Sequence, residues 1–294
     1  MQLALRLLLA FIVMSANFSL AANEPLSAQS IMDKMDAQQR EASDATLSKS
    51  RLSSCAYAIK NKQVVCTETP RVKLMESVSR QLGKGKKDSQ VISIILEPAS
   101  ERGIGMLTYS YDDTSKDTES WLYLSALGKV KRMASGSGED QEPVSFFGSE
   151  FTTEDMESGK TDEYDYEILQ EGAYSGTQVW VIEAKPKAVR LKKTNYSRLL
   201  IWVDKTRFLA LKVQAYDKSG SLHKRTIFKH FEKFNEVWVA RDLTVYNLKI
   251  KRLSKIKTEQ LVMNIKVEDE FLTQRSLTDF AYREKTLAEL RRQF

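Results

Sequence analysis

From Gln90 onward the sequence alternates apolar and polar residues almost without a break, and only short turn-forming clusters separate one alternating run from the next. Runs at Val91–Leu96, Gly103–Tyr111, Trp121–Ser125, Lys129–Met133, Tyr164–Gln170, Gln178–Ala184 and Leu199–Asp204 carry the two-residue period of a β-strand. Phe208–Tyr216, Lys224–Phe234, Val237–Ile250 and Thr258–Val267 continue it. Pro98, Asp112-Asp113, Gly128, Asp204-Lys205-Thr206, Asp217-Lys218-Ser219-Gly220 and Asn235-Glu236 mark the links. Links this short imply antiparallel pairing, because parallel strands need crossovers of about a dozen residues or more. The expected fold is mainly β (α+β), one extended meander. A sheet of about ten strands with one apolar face must curl or be covered. Few helices are available as cover: Ala28–Arg40, a short one near Thr152 with Asp155 as an imperfect capping box, and Ser276–Phe294. A curved sheet half-closed around them leaves an apolar interior that need not be completely filled.

The N-terminus reads as a secretory signal: Arg6, the apolar run Leu7–Val13, then Ser19-Leu20-Ala21 as a small-x-small cleavage pattern. Cleavage is expected after Ala21 or Ala22, leaving 22–294 as a single domain in an exported compartment. That apolar run is too short to span a bilayer comfortably, and no other segment approaches the ~20 apolar residues a spanning helix needs. The two cysteines agree with this address. Cys55 and Cys66 flank a hairpin whose turn is expected at Lys60-Asn61, which sets them opposite each other, about 4.5 Å apart, in range of a structural disulfide.

The net charge of +6 gathers in Lys185–Arg198 and Lys249–Lys257. An exported protein seldom meets nucleic acid, so these segments are either a solvated sheet face or attractors of acidic lipid headgroups or an acidic partner. Catalysis is not expected. His223 and His230 are poorly spaced as co-ligands, and nucleophile-elbow, zinc-protease and dinucleotide motifs are missing. Gly83–Asp88 lacks a phosphate-loop frame, and pairs such as Asp112-Asp113 sit in polar turns. No metal or cofactor is anticipated.

The polar stretch Ala134–Gln141 leads into Phe146-Phe147-Gly148. Burying one Phe contributes roughly 1.5–3 kcal/mol, so this loop should fold back onto apolar surface, as a plain anchor or as a flap over a cavity. Around it, Trp121, Tyr123, Ala126, Gly128 and Arg132, followed by Ser145, Phe146, Gly148, Ser149, Phe151 and Asp155, form a long pattern. It resembles the LolA-like family of outer-membrane lipoprotein-sorting proteins, with Ser125 where the family usually has Pro. Further on, Trp202–Asp204, Leu211–Val213, Tyr216-Asp217, Gly220, Trp238-Val239, Phe271 and Leu277 keep the same family's order, so the resemblance spans residues 90–277.

The resemblance implies an incomplete antiparallel β-barrel, a half-barrel with a helical lid, acting as a periplasmic carrier. It would be a monomer that shields the acyl chains of a lipid or lipoprotein, with an inner-membrane RND-type transporter as partner. On that basis Trp121, Tyr123, Phe146 and Phe147 are candidates for the cavity mouth, and Leu209, Leu211 and Val213 for its wall, where simple core packing is the competing reading. The alternative function is a non-transporting sensor or adaptor of the cell envelope built on the same fold.

Overall fold

The computed structural model describes residues 25–133, 144–157, 159–234 and 236–294. The expected signal segment and the polar stretch Ala134–Gln141 lie outside the described residues. The strands are β1 Ala45–Lys60, β2 Gln63–Cys66, β3 Arg71–Leu82, β4 Asp88–Glu97, β5 Gly105–Ser110, β6 Glu119–Leu124 and β7 Lys129–Met133. After the loop carrying the Phe motif come β8 Tyr164–Tyr174, β9 Thr177–Pro186, β10 Tyr196–Asp204, β11 Ala210–Asp217, β12 Leu222–Phe234, β13 Val237–Asn247 and β14 Arg252–Met263. The helices are α1 Ala28–Glu41, α2 Ala188–Leu191, α3 Gln274–Thr278 and α4 Phe280–Arg291. None of the described helices is long and apolar enough to cross a membrane.

All the strands join one antiparallel sheet of 14, ordered β7-β6-β5-β4-β3-β1-β14-β13-β12-β11-β10-β9-β8, with β2 paired to β1 alone. The meander is therefore as the alternation foretold, and β7 and β8 remain as edges, so the barrel is incomplete. One pairing breaks the sequential order: β1 inserts between β3 and β14. Nothing local marks β1 as a long central strand, because it is rich in Ser and Lys. Its serines find partners across the strands instead, Ser54 with Ser254 at 2.7 Å and Thr46 with Ser79 at 2.6 Å.

The register assigns each side chain to one of two faces. On the face termed front, Leu52, Met75, Ile95, Met106, Val245 and Ile256 form one cluster, and Ile182, Ala184, Ile201 and Val203 form a second beneath Ala28, Ile31 and Met32 of α1. On the back face, Leu47, Val78, Ile92, Ile94 and Leu107 pack against Phe271, Leu277, Leu287 and Leu290. The C-terminal segment thus covers the back of the first half of the sheet, while α1 covers the front of the second.

Three expectations need correction. The hairpin turn falls at Asn61-Lys62, both at positive φ (50° and 63°), rather than at Lys60-Asn61. This pairs Tyr57 with Cys66 and makes Cys55 its diagonal neighbour, yet the disulfide forms across a Cα–Cα distance of 5.8 Å. The last two strands end and begin earlier than the apolar pattern suggests. Leu248 and Ile250 sit in the reversal, where Lys251 takes φ 53° and Ile250 is exposed. The expected helix Ser276–Phe294 is two helices broken at Asp279, whose side chain caps α4 by accepting from Tyr282 N at 3.0 Å. Phe280 consequently points to solvent while Leu277, Leu287 and Leu290 stay buried.

Leu277 is fully buried, with Cδ2 close over the bare Cα of Gly105. Leu277→Ala should cost about 2–5 kcal/mol of stability, read as a lower urea midpoint with an unchanged slope.

Candidate functional site

The Phe motif closes on itself before it contacts anything else. Phe146 N donates to Phe151 O at 2.9 Å and Thr153 N to Val144 O at 3.0 Å, while Ser149 Oγ donates to Phe146 O at 2.6 Å. Phe147 and Gly148 adopt φ of 51° and 71°, the left-handed turn that a glycine beside the aromatic pair makes easier. The turn drives Phe146, Phe147 and Phe151 into the front cluster over Leu52, Val245 and Ile256, and Lys73 Nζ donates to Phe147 O at 2.9 Å. Both aromatics are buried in that cluster.

Thr152 and Asp155 then form the reciprocal cap that their spacing suggested: Thr152 N donates to Asp155 Oδ2 at 2.9 Å and Asp155 N to Thr152 Oγ1 at 3.3 Å. The cap opens a short 3-10 turn, Glu154–Met156, in place of an α-helix. The acidic residues of this turn are received by the second half of the sheet. Asp155 accepts from Tyr196 Oη at 2.5 Å and from Lys224 Nζ at 2.6 Å. Glu154 accepts from Asn195 Nδ2 at 2.9 Å and from the Thr194 hydroxyl. Arg190 of α2 gathers Glu157 at 2.8 Å, Glu154 at 3.4 Å and Glu163 at 3.5 Å, and its Nε donates to Tyr164 Oη at 3.0 Å. The side chains of Arg190 and Lys224 are each 6% exposed. Burial works against the Arg190 charge, but Tyr164, Glu157 and Glu154 hold its pKa above the ordinary arginine value. Burial pushes Tyr164 up to about 12 and, with Asp155 and Glu154 adding to it, raises Tyr196 well above an ordinary phenol. Both therefore remain neutral hydroxyls.

Beside this polar cluster lies a cavity of about 220 Å³ between α1 and the front face of β8–β12. Met32 and Met35 line it from α1, and Tyr166, Ile201, Val213, Ala215 and Phe228 line it from the sheet. Glu154, Asp155, Arg190 and Lys224 close its polar end. α1 is tied over the cavity by Asp36, which accepts from Gly159 N at 2.7 Å and Arg40 Nε at 2.6 Å. The space is apolar on one side, and on the other its charges are already matched. Such a site can shelter a hydrocarbon fragment near a polar group. Among the described residues, no group of three or more His, Cys, Asp or Glu could hold a metal ion.

The candidates read from sequence do not converge. Trp121 and Tyr123 occupy the back of β6, where Trp121 meets Tyr109 edge-on with centroids 5.1 Å apart, while Phe146 and Phe147 lie on the front. The residue between the first two, Leu122, is the one that reaches the Phe cluster. β6 is apolar on both faces, so alternation alone could not tell them apart. Leu209 is buried ahead of β11. A bulge opposite Trp202/Val203 then separates the other two, turning Leu211 to the back with Val179 and Val181. Val213 alone of the seven lines the cavity beneath α1. Arg190 and Lys224 were missed because buried cations look like surface charge in a sequence. The basic segments are in fact largely neutralised, with Lys185 and Arg198 on Glu183, Arg252 on Glu150 and Lys255 on Asp242.

Several solved structures share this architecture. A DUF1329 family protein from Desulfovibrio piger superposes with a TM-score of 0.73 at 26% identity, over 85% of this chain and 97% of its own. A domain named for outer-membrane lipoprotein sorting, from Vibrio parahaemolyticus, gives 0.71 at 23% identity, covering 85% and 98%. A LolA superfamily protein from Nitrosomonas europaea gives 0.60 at 18% identity, covering 85% and 98%. A family model described as "Uncharacterized protein" matches residues 87–279, well over half of the chain. The chain belongs to that family, and its fold is LolA-like. No curated protein matches it significantly. The family match brackets the stretch over which the LolA-like residues were read, and β1, α1 and all of α4 fall outside it.

Asp155→Ala would leave Lys224 buried without its carboxylate and should cost about 3–5 kcal/mol, with part recovered in Asp155→Ala/Lys224→Met; a double-mutant cycle by chemical denaturation measures both.

Proposed function

We propose that this LolA-like protein is an exported, periplasmic carrier that holds the acyl chains of a lipid or lipoprotein against the front face of its sheet, beneath α1, without altering them chemically. The observation that carries the reading is the cavity under α1. At about 220 Å³ it lies below the ~300–1,000 Å³ of ordinary ligand pockets, so the closed form holds no more than a fragment of a chain. Loading requires α1 to lift. Lifting gives up the Asp36–Gly159 hydrogen bond and the contacts of Ile31 and Met32 on Ile182, Ile201 and Val203, which are hydrocarbon on hydrocarbon. An acyl chain can replace the apolar contacts in kind, which lowers the cost of exchange. The Cys55–Cys66 disulfide favours an oxidising compartment, and the name of the Vibrio neighbour supports the cargo class. In this reading the protein works as a monomer and exchanges cargo with an inner-membrane RND-type transporter.

The gate is thus α1, and the Phe146-Phe147 turn is the anchor past which it moves. Mass spectrometry of organic extracts from the gently purified mature protein should find a stoichiometric lipid or acylated peptide. Ala215→Trp, which fills the cavity, should lower that load at least about fivefold. A lipid-free protein that also takes up no fluorescent fatty acid would overturn the carrier reading in favour of a sensor or adaptor on the same fold.

A further inference from the structure

A second cavity lies on the back face, where α3 and α4 meet β3–β6. It encloses about 550 Å³, within the usual ~300–1,000 Å³ of small-molecule sites. Leu74, Ile94, Tyr123 and Leu277 make its apolar wall, and Phe280 stands 64% exposed at the rim. Arg283 enters it from α4 with a side chain only 3% exposed. Nη1 of Arg283 donates to the carbonyls of Ser276 and Leu277, each at 3.1 Å. Nε has no hydrogen-bond acceptor, and among the described residues Nη2 has none either. Glu284 comes no closer than 3.6 Å to Nε and is engaged by Arg291 at 3.2 Å. Gly103 sits beneath the guanidinium, where a Cβ would stand 3.7 Å from Nη2.

A buried guanidinium with unmet donors is unfavourable unless something accepts them. Its Nε–Nη2 edge is the side-on fork that matches two oxygens of a carboxylate or phosphate. Two more cations line the same space, Lys49 and Arg102, neither with a carboxylate within 4.0 Å among the described residues; Glu97 and Glu284 are the acidic members of the lining. We propose that this cavity is a binding site for a small amphiphilic anion. Its carboxylate or phosphate head would lie on the Nε–Nη2 edge of Arg283 and its apolar body against Leu74, Tyr123 and Phe280. The site is on the opposite face from the cavity beneath α1 and does not depend on that cavity's role.

Calorimetric titration of the full mature chain with octanoate, octyl phosphate and uncharged octanol tests this. With the front cavity filled by Ala215→Trp, one octanoate or octyl phosphate should bind per chain, and octanol at least about tenfold more weakly. Tighter binding of octanoate would assign a free acid and tighter binding of octyl phosphate a phosphorylated lipid, either supporting the site. Arg283→Gln should weaken the anion at least about tenfold and Lys49→Glu severalfold, with Ala215→Trp on the front face leaving it unchanged. Because Arg283 also ties α3 to α4, Lys49→Glu carries the test if Arg283→Gln does not fold. Equal affinity for octanoate and octanol, or an anion affinity untouched by Lys49→Glu, would overturn the proposal.

Discussion

The pairing of β1 with β14 is the contact on which the rest of the molecule depends. It joins strands some 200 residues apart, as in the Ser54–Ser254 hydrogen bond, and merges two meanders into one sheet. Without it, β1–β7 and β8–β14 would be separate antiparallel stacks, each with a further open edge. A pairing so distant in sequence is formed against a large loop-closure entropy, and the Phe motif lies where it can offset that cost. Phe146, Phe147 and Phe151 pack over Leu52 of β1 and Ile256 of β14, and Glu150 N donates to Ser254 Oγ at 2.9 Å. The motif loop therefore fastens the seam of the sheet on its front face.

The buried polar cluster is a consequence of that seam. The loop leaves the Phe anchor with its acidic residues already placed, and β10, β12 and α2 supply Tyr196, Lys224 and Arg190 to receive them. Buried ion pairs of this kind add little net stability compared with apolar packing, but they penalise any arrangement that leaves a charge unmatched. The loop is consequently held in one position beside the cavity, while α1, resting mainly on Ile31 and Met32, is held chiefly by interchangeable apolar contacts. A firm loop beside a replaceable cover is what the proposed carrier role would need.

The two faces of the sheet are finished differently. The C-terminal helices cover the back of the first half, where they enclose Arg283. The back of the second half is protected by cations lying over aromatic rings: Lys212 Nζ stands 3.2 Å from the centroid of Trp202, and Arg207 stands over both Phe231 and Trp238. The charged heads themselves lie on the ring faces, and burial lowers the pKa of Lys212. Much of the basic character that reads as a potential docking surface is thus engaged in stacking and ion pairing within the fold.

The local patterns in the sequence were sufficient for the mainly β class, the antiparallel meander, the reciprocal Thr152/Asp155 cap, the Cys55–Cys66 bridge and the LolA-like motif. Each of these rests on neighbours a few residues apart, where a period of two, a turn residue or a cap leaves a direct trace. Which face a residue serves was decided only in three dimensions. Trp121 and Phe146 both read as mouth residues, yet strand parity sends one to the back and the loop carries the other to the front. One bulge was enough to part Leu211 from Val213. Arg190, Lys224 and Arg283 looked like solvated charge because their burial comes from segments remote in the chain, and side-chain type carries no record of what will cover it. Register, bulges and long-range pairing therefore determined the candidate site, while alternation and turn chemistry determined the sheet that holds it.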